Sequence, residues 1–340
     1  MLHLKEISEE GEWEAVTKDF EMLLTQTFVY GEIQKKMGRT VKMFSILEDG
    51  KNIGAMLLIA FPLFGKLKYW YAPYGPILSA VSKEILVSLK KELKKKINTG
   101  SVFVRLDFTL DNRESGVEIQ NYFTKATASS YHGAYFQPRA EWYTKINKTP
   151  EEILGSMHSK TRYSVRLAEK KGVTINIVTK ELSQKLPDFL RLMKQTAKRN
   201  GFSIHNDSYY NNYFELVEKT GKGFLIEGVY GGEVLASHFI FLVGNVAHYV
   251  FGASSDAHKD LCAPYLVHYR AMIEAKTMGA EYYNFGAVSV GKNDKEWQGL
   301  TTFKQKFGGE LKVHGQLYDL VLMPFWYYIY IIRKVIKTYL

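Results

Sequence analysis

The most constraining feature of the sequence is that it makes the same statement twice. A turn signal at Asp49-Gly50 leads through an Ile to Ala55, and 181 residues later Tyr230-Gly231 leads through a Val to Ala236. Asp107 and Asn284 stand near corresponding strand ends, 177 residues apart. Two matching spacings predict an internal duplication. In 340 residues there is room for two domains at about 100–200 residues each.

The first copy reads as an amphipathic helix over 12–27, a strand pair from Met43 to Phe61 around a Glu48–Asn52 turn, a strand Lys68–Tyr71, a helix Ala80–Ile97 and a strand Val102–Phe108. The second copy has helices over Pro187–Arg199 and Ser208–Lys219 and strands Gly223–Val229, Val234–Val243 and Ala247–Gly252. It closes with a helix Ala263–Met278 and a buried strand Glu281–Gly286. Helix, antiparallel strands, helix, strand is the order of acetyltransferase-like α+β units, so the expected fold is two tandem units of that type. Thr149-Pro150-Glu-Glu152 reads as a helix start, with Thr149 as cap and Pro150 in the first position, and the domains are cut there, at 1–147 and 148–319. Acetyltransferases of this type hold the coenzyme A pyrophosphate on a glycine-spaced loop at a helix start. Neither Ser79–Ser82 nor Ser255–Pro264 has that spacing, and Asp256 and Asp260 would repel phosphate, which argues for a different activated acyl carrier.

The candidate chemistry lies in Gly299-Leu-Thr-Thr-Phe-Lys-Gln-Lys-Phe-Gly-Gly-Glu-Leu311, which follows the Tyr-rich strand and a polar stretch from Ser289 to Gln298 read as a loop. Phe303-Lys304 before Gly308-Gly309 would place one cation beside an aromatic wall while the backbone turns away. The succession Gly252-Ala-Ser-Ser255, Ala263-Pro-Tyr-Leu266, Gly279, Gly286 and Gly299-Leu-x-x-Phe303-Lys304-x-x-Phe307-Gly308 resembles the Fem family. Arg162–Val173, Ala72-Pro-Tyr-Gly-Pro76 and Arg105-Leu-Asp107 extend the likeness over nearly the whole chain. Fem proteins transfer an amino acid from aminoacyl-tRNA to the stem peptide of a peptidoglycan precursor. The absence of a long heptad-bearing insertion places this chain nearer the compact members than those with a coiled-coil arm.

The resemblance implies roles residue by residue. Lys304 would stabilise the oxyanion formed as an amine attacks the ester, Phe303 would place its backbone carbonyl near that amine, and Asp107 is the candidate proton acceptor, with a structural carboxylate as the alternative. Lys35 and Lys36 lie where the family has a phosphate-binding lysine, although Gln34 also fits that register. Tyr74 falls where the family often carries Arg. His205 and Tyr209 look like an Arg-x-x-x-Tyr element with His in place of Arg, and Tyr249 matches a third aromatic position. Arg162, Arg166 and Lys170 recur every four residues on one helix face, either as a solvated face or as a track for tRNA phosphates. The implied partners are aminoacyl-tRNA and a UDP-linked or lipid-linked muramyl pentapeptide. No cofactor is implied.

Charge fits such partners: 45 Lys and Arg against 35 Asp and Glu give a net charge of +10, which favours anionic surfaces without choosing among them. The single cysteine, Cys262, supplies neither a disulfide nor a thiol metal site. The nine histidines show no metal-ligand spacing, so no metal is expected. The first residues lack a signal-peptide profile and no apolar run reaches about 18–20 residues, giving the expectation of a cytoplasmic protein. The tail, Leu320 to Ile332 followed by Arg333 and Lys334, is too short to span a bilayer. Its Trp and Tyr content suits either a helix packed back on the first domain or one lying at a membrane interface.

Overall fold

The computed structural model describes residues 1–97, 100–109, 118–126, 137–290 and 295–339. In chain order it begins with β1 (Leu2–Glu6), α1 (Glu10–Thr17), α2 (Phe28–Lys36), β2 (Val41–Glu48), β3 (Lys51–Phe64), β4 (Leu67–Ala72), β5 (Ile77–Leu78), α3 (Lys83–Lys96), β6 (Ser101–Asp107) and β7 (Thr124–Lys125). There follow β8 (Ala140–Lys145), α4 (Pro150–Ser156), α5 (Ser159–Lys170), β9 (Thr174–Val178), α6 (Leu182–Asn200), α7 (Asp207–Thr220), β10 (Gly223–Tyr230), β11 (Glu233–Val243) and β12 (Val246–Ser254). The chain ends with α8 (Ala263–Thr277), β13 (Tyr282–Ala287), α9 (Lys295–Gln305), β14 (Glu310–Val313), β15 (Leu317–Val321) and α10 (Pro324–Tyr339). Two compact units result, one of Met1–Arg139 with Val313–Leu340 and the other of Ala140–Lys312. The division falls before β8, one strand ahead of the helix start at which the sequence was cut.

The duplication is explicit in the sheets. The first runs β1-β2-β3-β4-β6-β15-β7 with β5 on β3, and the second runs β9-β10-β11-β12-β13-β8-β14. In each, the first four strands pair antiparallel. The fourth then pairs parallel with the fifth (β4 with β6, β12 with β13). A parallel pair needs a crossover, which α3 and α8 provide. The strand beside the fifth, β15 or β8, is antiparallel to it and comes from a distant stretch of chain.

The copies differ where the parallel strands end. In the first unit β4 stays paired with β6 to its last residue, Ala72 opposite Leu106. In the second, β12 and β13 pair only from Val246–Tyr282 to His248–Asn284, although β12 continues to Ser254 and β13 to Ala287. A bulge adds to the divergence: Phe239 faces Phe251 while Ile240 faces Tyr249, so Val250 is an extra residue.

Three readings of the sequence are corrected. The helix expected over 12–27 stops at Thr17, because the buried Gln26 side chain bonds the amide of Leu57 (2.8 Å) and the carbonyl of Pro73 (2.8 Å), tying that segment to the sheet rather than to a helix. The polar stretch after Ser289 becomes helix from Lys295, so Phe303 and Lys304 are presented by a helix rather than a loop; 291–294 lie outside the described residues. The tail is strand to Val321, and its helix opens only at Pro324, which suits the first helical turn.

That tail closes the first unit. Arg105 on β6 makes two bonds to Asp319 on β15 (2.8 and 2.7 Å), and Tyr327 and Tyr330 of α10 complete the buried cluster by donating to Asp319 (2.8 Å) and accepting from Arg105 (3.3 Å).

Candidate active site

Lys304 occupies the last turn of α9, and that helix is fastened to the second unit at its middle and just past its end. Ahead of it, the Ser289 amide donates to Thr301 Oγ1 (2.9 Å). Beyond it, the Gly308 carbonyl accepts from the Trp142 indole (2.7 Å) and the Thr144 hydroxyl (2.8 Å), both on β8. Gly309 makes this approach possible: its φ is +109°, and a Cβ there would stand 2.1 Å from the Tyr143 carbonyl. Phe307 is buried against Phe285 (5.1 Å between ring centroids) and His268 (5.1 Å), while Phe303 packs edge-on to Tyr265 (5.1 Å).

With those rings inward, the lysine side chain turns in too. Lys304 is 5% exposed, the one buried Lys or Arg among the described residues of this unit. Its Nζ donates to the Ala287 carbonyl at 2.7 Å, its one hydrogen bond among the described residues, so two of three N–H donors remain uncommitted. Gly286, at φ +74°, stands beside it: a Cβ built there would be 4.0 Å from the ammonium and 3.8 Å from the Tyr249 carbonyl, ordinary contact distances. The ammonium therefore sits where β12 and β13 part. Burial lowers its pKa from 10.5 to about 8, with Glu141 opposing, so at neutral pH it remains mostly a cation.

Histidines held neutral by burial surround it, with the Glu141 carboxylate as the opposing charge. His268 donates to or accepts from the Tyr283 hydroxyl at 3.1 Å; burial, then His238 and Lys304, hold its pKa well below the ordinary value. Burial takes His238 to about 3 and His248 to about 4. Asn284 fixes the backbone under the lysine, accepting from the Gly286 amide (2.7 Å) and donating to the Tyr143 hydroxyl (3.1 Å). Sequence reasoning missed this polar layer of His238, His248, His268, Tyr143 and Glu141. Its signal was available in histidines set within apolar strand and helix runs.

Residues 10–226 and 225–331 match the FemAB family. The chain belongs to the FemAB family. Its relatives include the lipid II:glycine glycyltransferases of Staphylococcus aureus (strain COL), 24% identical with 88% of each chain covered, and of Staphylococcus epidermidis (strain ATCC 12228), likewise 24% and 88%. The first alignment runs over 378 positions, more than the 340 residues of this chain, so that relative carries segments with no counterpart here. Among solved structures, FemX covers 96% of the chain at a TM-score of 0.81 and 21% identity. A tandem GNAT protein from the clavulanic acid pathway covers 94% at 0.53 and 8% identity. The fold is thus the duplicated acetyltransferase-like α+β architecture, and this FemAB protein is an aminoacyltransferase.

The residues expected from the FemAB resemblance fall into separate groups. Lys304, Phe303 and Tyr249 come together: Tyr249 lies on the bulged strand, 4.7 Å from the His268 ring, and burial raises its phenol pKa. Phe303 is in the final turn of α9, where the Phe307 amide bonds Lys304 rather than Phe303 and the helical ladder ends. His205 and Tyr209, at the start of α7, stack with centroids 3.9 Å apart. On α5, Arg166 and Lys170 are exposed, whereas Arg162 donates to the Met157 carbonyl at the end of α4.

The first unit holds the others. Asp107 is fully buried; Oδ1 accepts from Arg139 (2.9 Å) and Oδ2 from Tyr71 (3.1 Å). Burial raises its pKa, with Arg139 and Tyr71 opposing. Tyr74, at φ +55°, donates to the Pro138 carbonyl (2.7 Å) and stacks on His314 (4.2 Å). Lys35 and Lys36 project from the end of α2 into solvent, Lys35 paired with Glu32 (2.8 Å), whereas Gln34 is buried.

Proposed function

We propose that this protein moves an amino acid from aminoacyl-tRNA onto a stem-peptide amine of a lipid-linked peptidoglycan precursor, extending the cross-bridge. The observation that carries this reading is the Lys304 ammonium, buried at the parting of β12 and β13 with one hydrogen bond among the described residues. The lipid II:glycine glycyltransferases among its relatives suggest the substrate class.

The chemistry follows from charge. The acceptor amine, once deprotonated, attacks the ester carbonyl; a C–N bond forms and negative charge collects on the carbonyl oxygen. The Lys304 ammonium neutralises that charge, worth about 2.7–4 kcal/mol in a site that excludes water. Collapse expels the ribose oxygen, which takes a proton, and leaves an amide. The Phe303 carbonyl, at the free end of α9, receives an N–H of the attacking amine. An ester on RNA is already activated, so no side-chain nucleophile is required. Arg166 and Lys170 are proposed to meet tRNA phosphates. For Lys35, Lys36, His205, Tyr209 and Tyr249 the proposed role is to hold the precursor through its phosphates and polar groups, and Tyr74, its hydroxyl and ring engaged, to shape the turn at 73–76. Asp107, with both oxygens bonded, fits a structural carboxylate better than a free base, and Asp107→Asn tests the proton-acceptor alternative.

Purified protein, charged tRNA and a muramyl pentapeptide precursor should give a ribonuclease-sensitive mass gain of one amino-acid residue, lost in Lys304→Met. Transfer of acetyl from acetyl-coenzyme A, with none from charged tRNA, would overturn the reading.

A further inference from the structure

The helix α10 has two apolar faces, and only one is used by the fold. Inward, Tyr327 and Tyr330 are buried against Phe103 (5.3 and 5.0 Å between centroids) and Tyr69. Outward, Phe325, Tyr328, Ile332 and Ile336 are 70%, 67%, 57% and 52% exposed. At 100° per residue these four span an arc of about 80°, and at 1.5 Å rise a stripe about 17 Å long. No helix among the described residues is long and apolar enough to cross a membrane.

The borders of the stripe say what covers it. Trp326 flanks one side, its ring 5.8 Å from Phe64 at the tip of the β3–β4 hairpin, and the Arg333 guanidinium lies over the same Phe64 at 5.2 Å. Lys66 is exposed on that hairpin turn. Neither α10 nor the hairpin over 61–68 contains an Asp or Glu, while together they carry Arg333, Lys337, Lys66 and Lys68; Lys334 turns inward, its ammonium 5.5 Å over the Tyr330 ring. A second protein surface would have to bring its own acids, whereas a bilayer with anionic headgroups offers apolar depth beneath a negative plane. An amphipathic helix with aromatic flanks and basic borders fits that plane.

We propose that the outer stripe of α10, with Arg333 and Lys66 at its border, is a docking surface for membranes containing anionic lipid. The docking does not rest on the transfer chemistry, and the two fail separately. Binding is read with vesicles lacking precursor, and transfer with a soluble precursor lacking vesicles.

The test is co-sedimentation of the full chain with vesicles of phosphatidylcholine alone or mixed with phosphatidylglycerol. Wild type should partition onto the mixed vesicles and release as salt rises. Phe325→Ser with Ile332→Ser, both at exposed positions, should weaken partitioning roughly tenfold or more, the scale expected for withdrawing two large apolar side chains. Arg333→Glu should weaken it on the mixed vesicles and leave phosphatidylcholine unaffected. Equal binding by wild type and the double variant, or no binding by wild type, overturns the proposal. So does a dimer in sedimentation equilibrium that the same substitutions dissociate, because the stripe would then be covered by a second copy. Circular dichroism of each variant separates loss of docking from loss of fold.

Discussion

Lys304 carries opposite consequences for activity and for stability as pH changes. Its cationic form is lost as pH rises through about 8, so transfer should fall above that point even though the acceptor amine is then more fully deprotonated. The folded state binds this proton less tightly than the unfolded chain, for which 10.5 is the reference, so its contribution to stability grows between about 8 and 10.5. A pH–rate profile set beside thermal melts should show the two trends diverge. Lys304→Met should cost about 10²–10³-fold in kcat and raise stability, since a buried charge whose desolvation outweighs the opposing Glu141 is removed. The buried histidines act at the other end of the scale. His238 and His248 stay neutral in the fold, to about 3 and 4, but titrate near 6.5 when unfolded, so the stability they contribute is full above 6.5 and drains away as pH falls toward 4. Melts of wild type and His238→Phe over pH 4–7 check this; the variant should lose part of the slope. That Lys304 lies among buried rings was legible from Phe303-Lys304 and the following glycines; the polar layer beneath it was signalled only by histidines within apolar runs, and long-range packing decided which of them are buried.

At the level of elements, local signals were read well wherever they were chemically specific. Thr149-Pro150-x-Glu152 forms a full capping box, and Thr149→Ala should lower stability by about 1 kcal/mol, measurable by urea unfolding. The Gly308-Gly309 pair has a larger role. Gly309→Ala would drive a Cβ to 2.1 Å from the Tyr143 backbone in a conformation that side chains rarely adopt, so the turn that seats α9 on β8 would have to shift. The expected result is a loss of several kcal/mol, by analogy with severe overpacking and strain, together with loss of transfer. Where the sequence misled, a distant partner had captured the backbone: Gln26 pulls its segment onto β3, ending a helix that its apolar periodicity alone would have continued. The parting of β12 from β13 was likewise illegible, since neither strand's sequence reports where its neighbour stops.

Over the whole molecule, the repeat read from one turn spacing and one strand-end spacing became two sheets with matching strand order, differing chiefly in the parallel pair that opens in one and stays closed in the other. The sequence did not disclose that β8 and β15 fill equivalent places, β8 standing ahead of the other strands of its unit and β15 returning after the inserted unit. Arg105 and Asp319 join β6 to β15 inside that arrangement, and Arg105→Ala would leave a carboxylate buried without its partner, costing about 3–5 kcal/mol, to be checked by thermal unfolding of the variant. Because β15 lies between β6 and β7, the first unit is discontinuous: everything from Ala140 to Lys312 is inserted into it. During synthesis its sheet must wait, one slot empty, until the ribosome has released some 180 further residues. The inserted unit has its strands in hand first, so the half begun earliest is the half finished last, with a bare strand edge to be shielded in the interval.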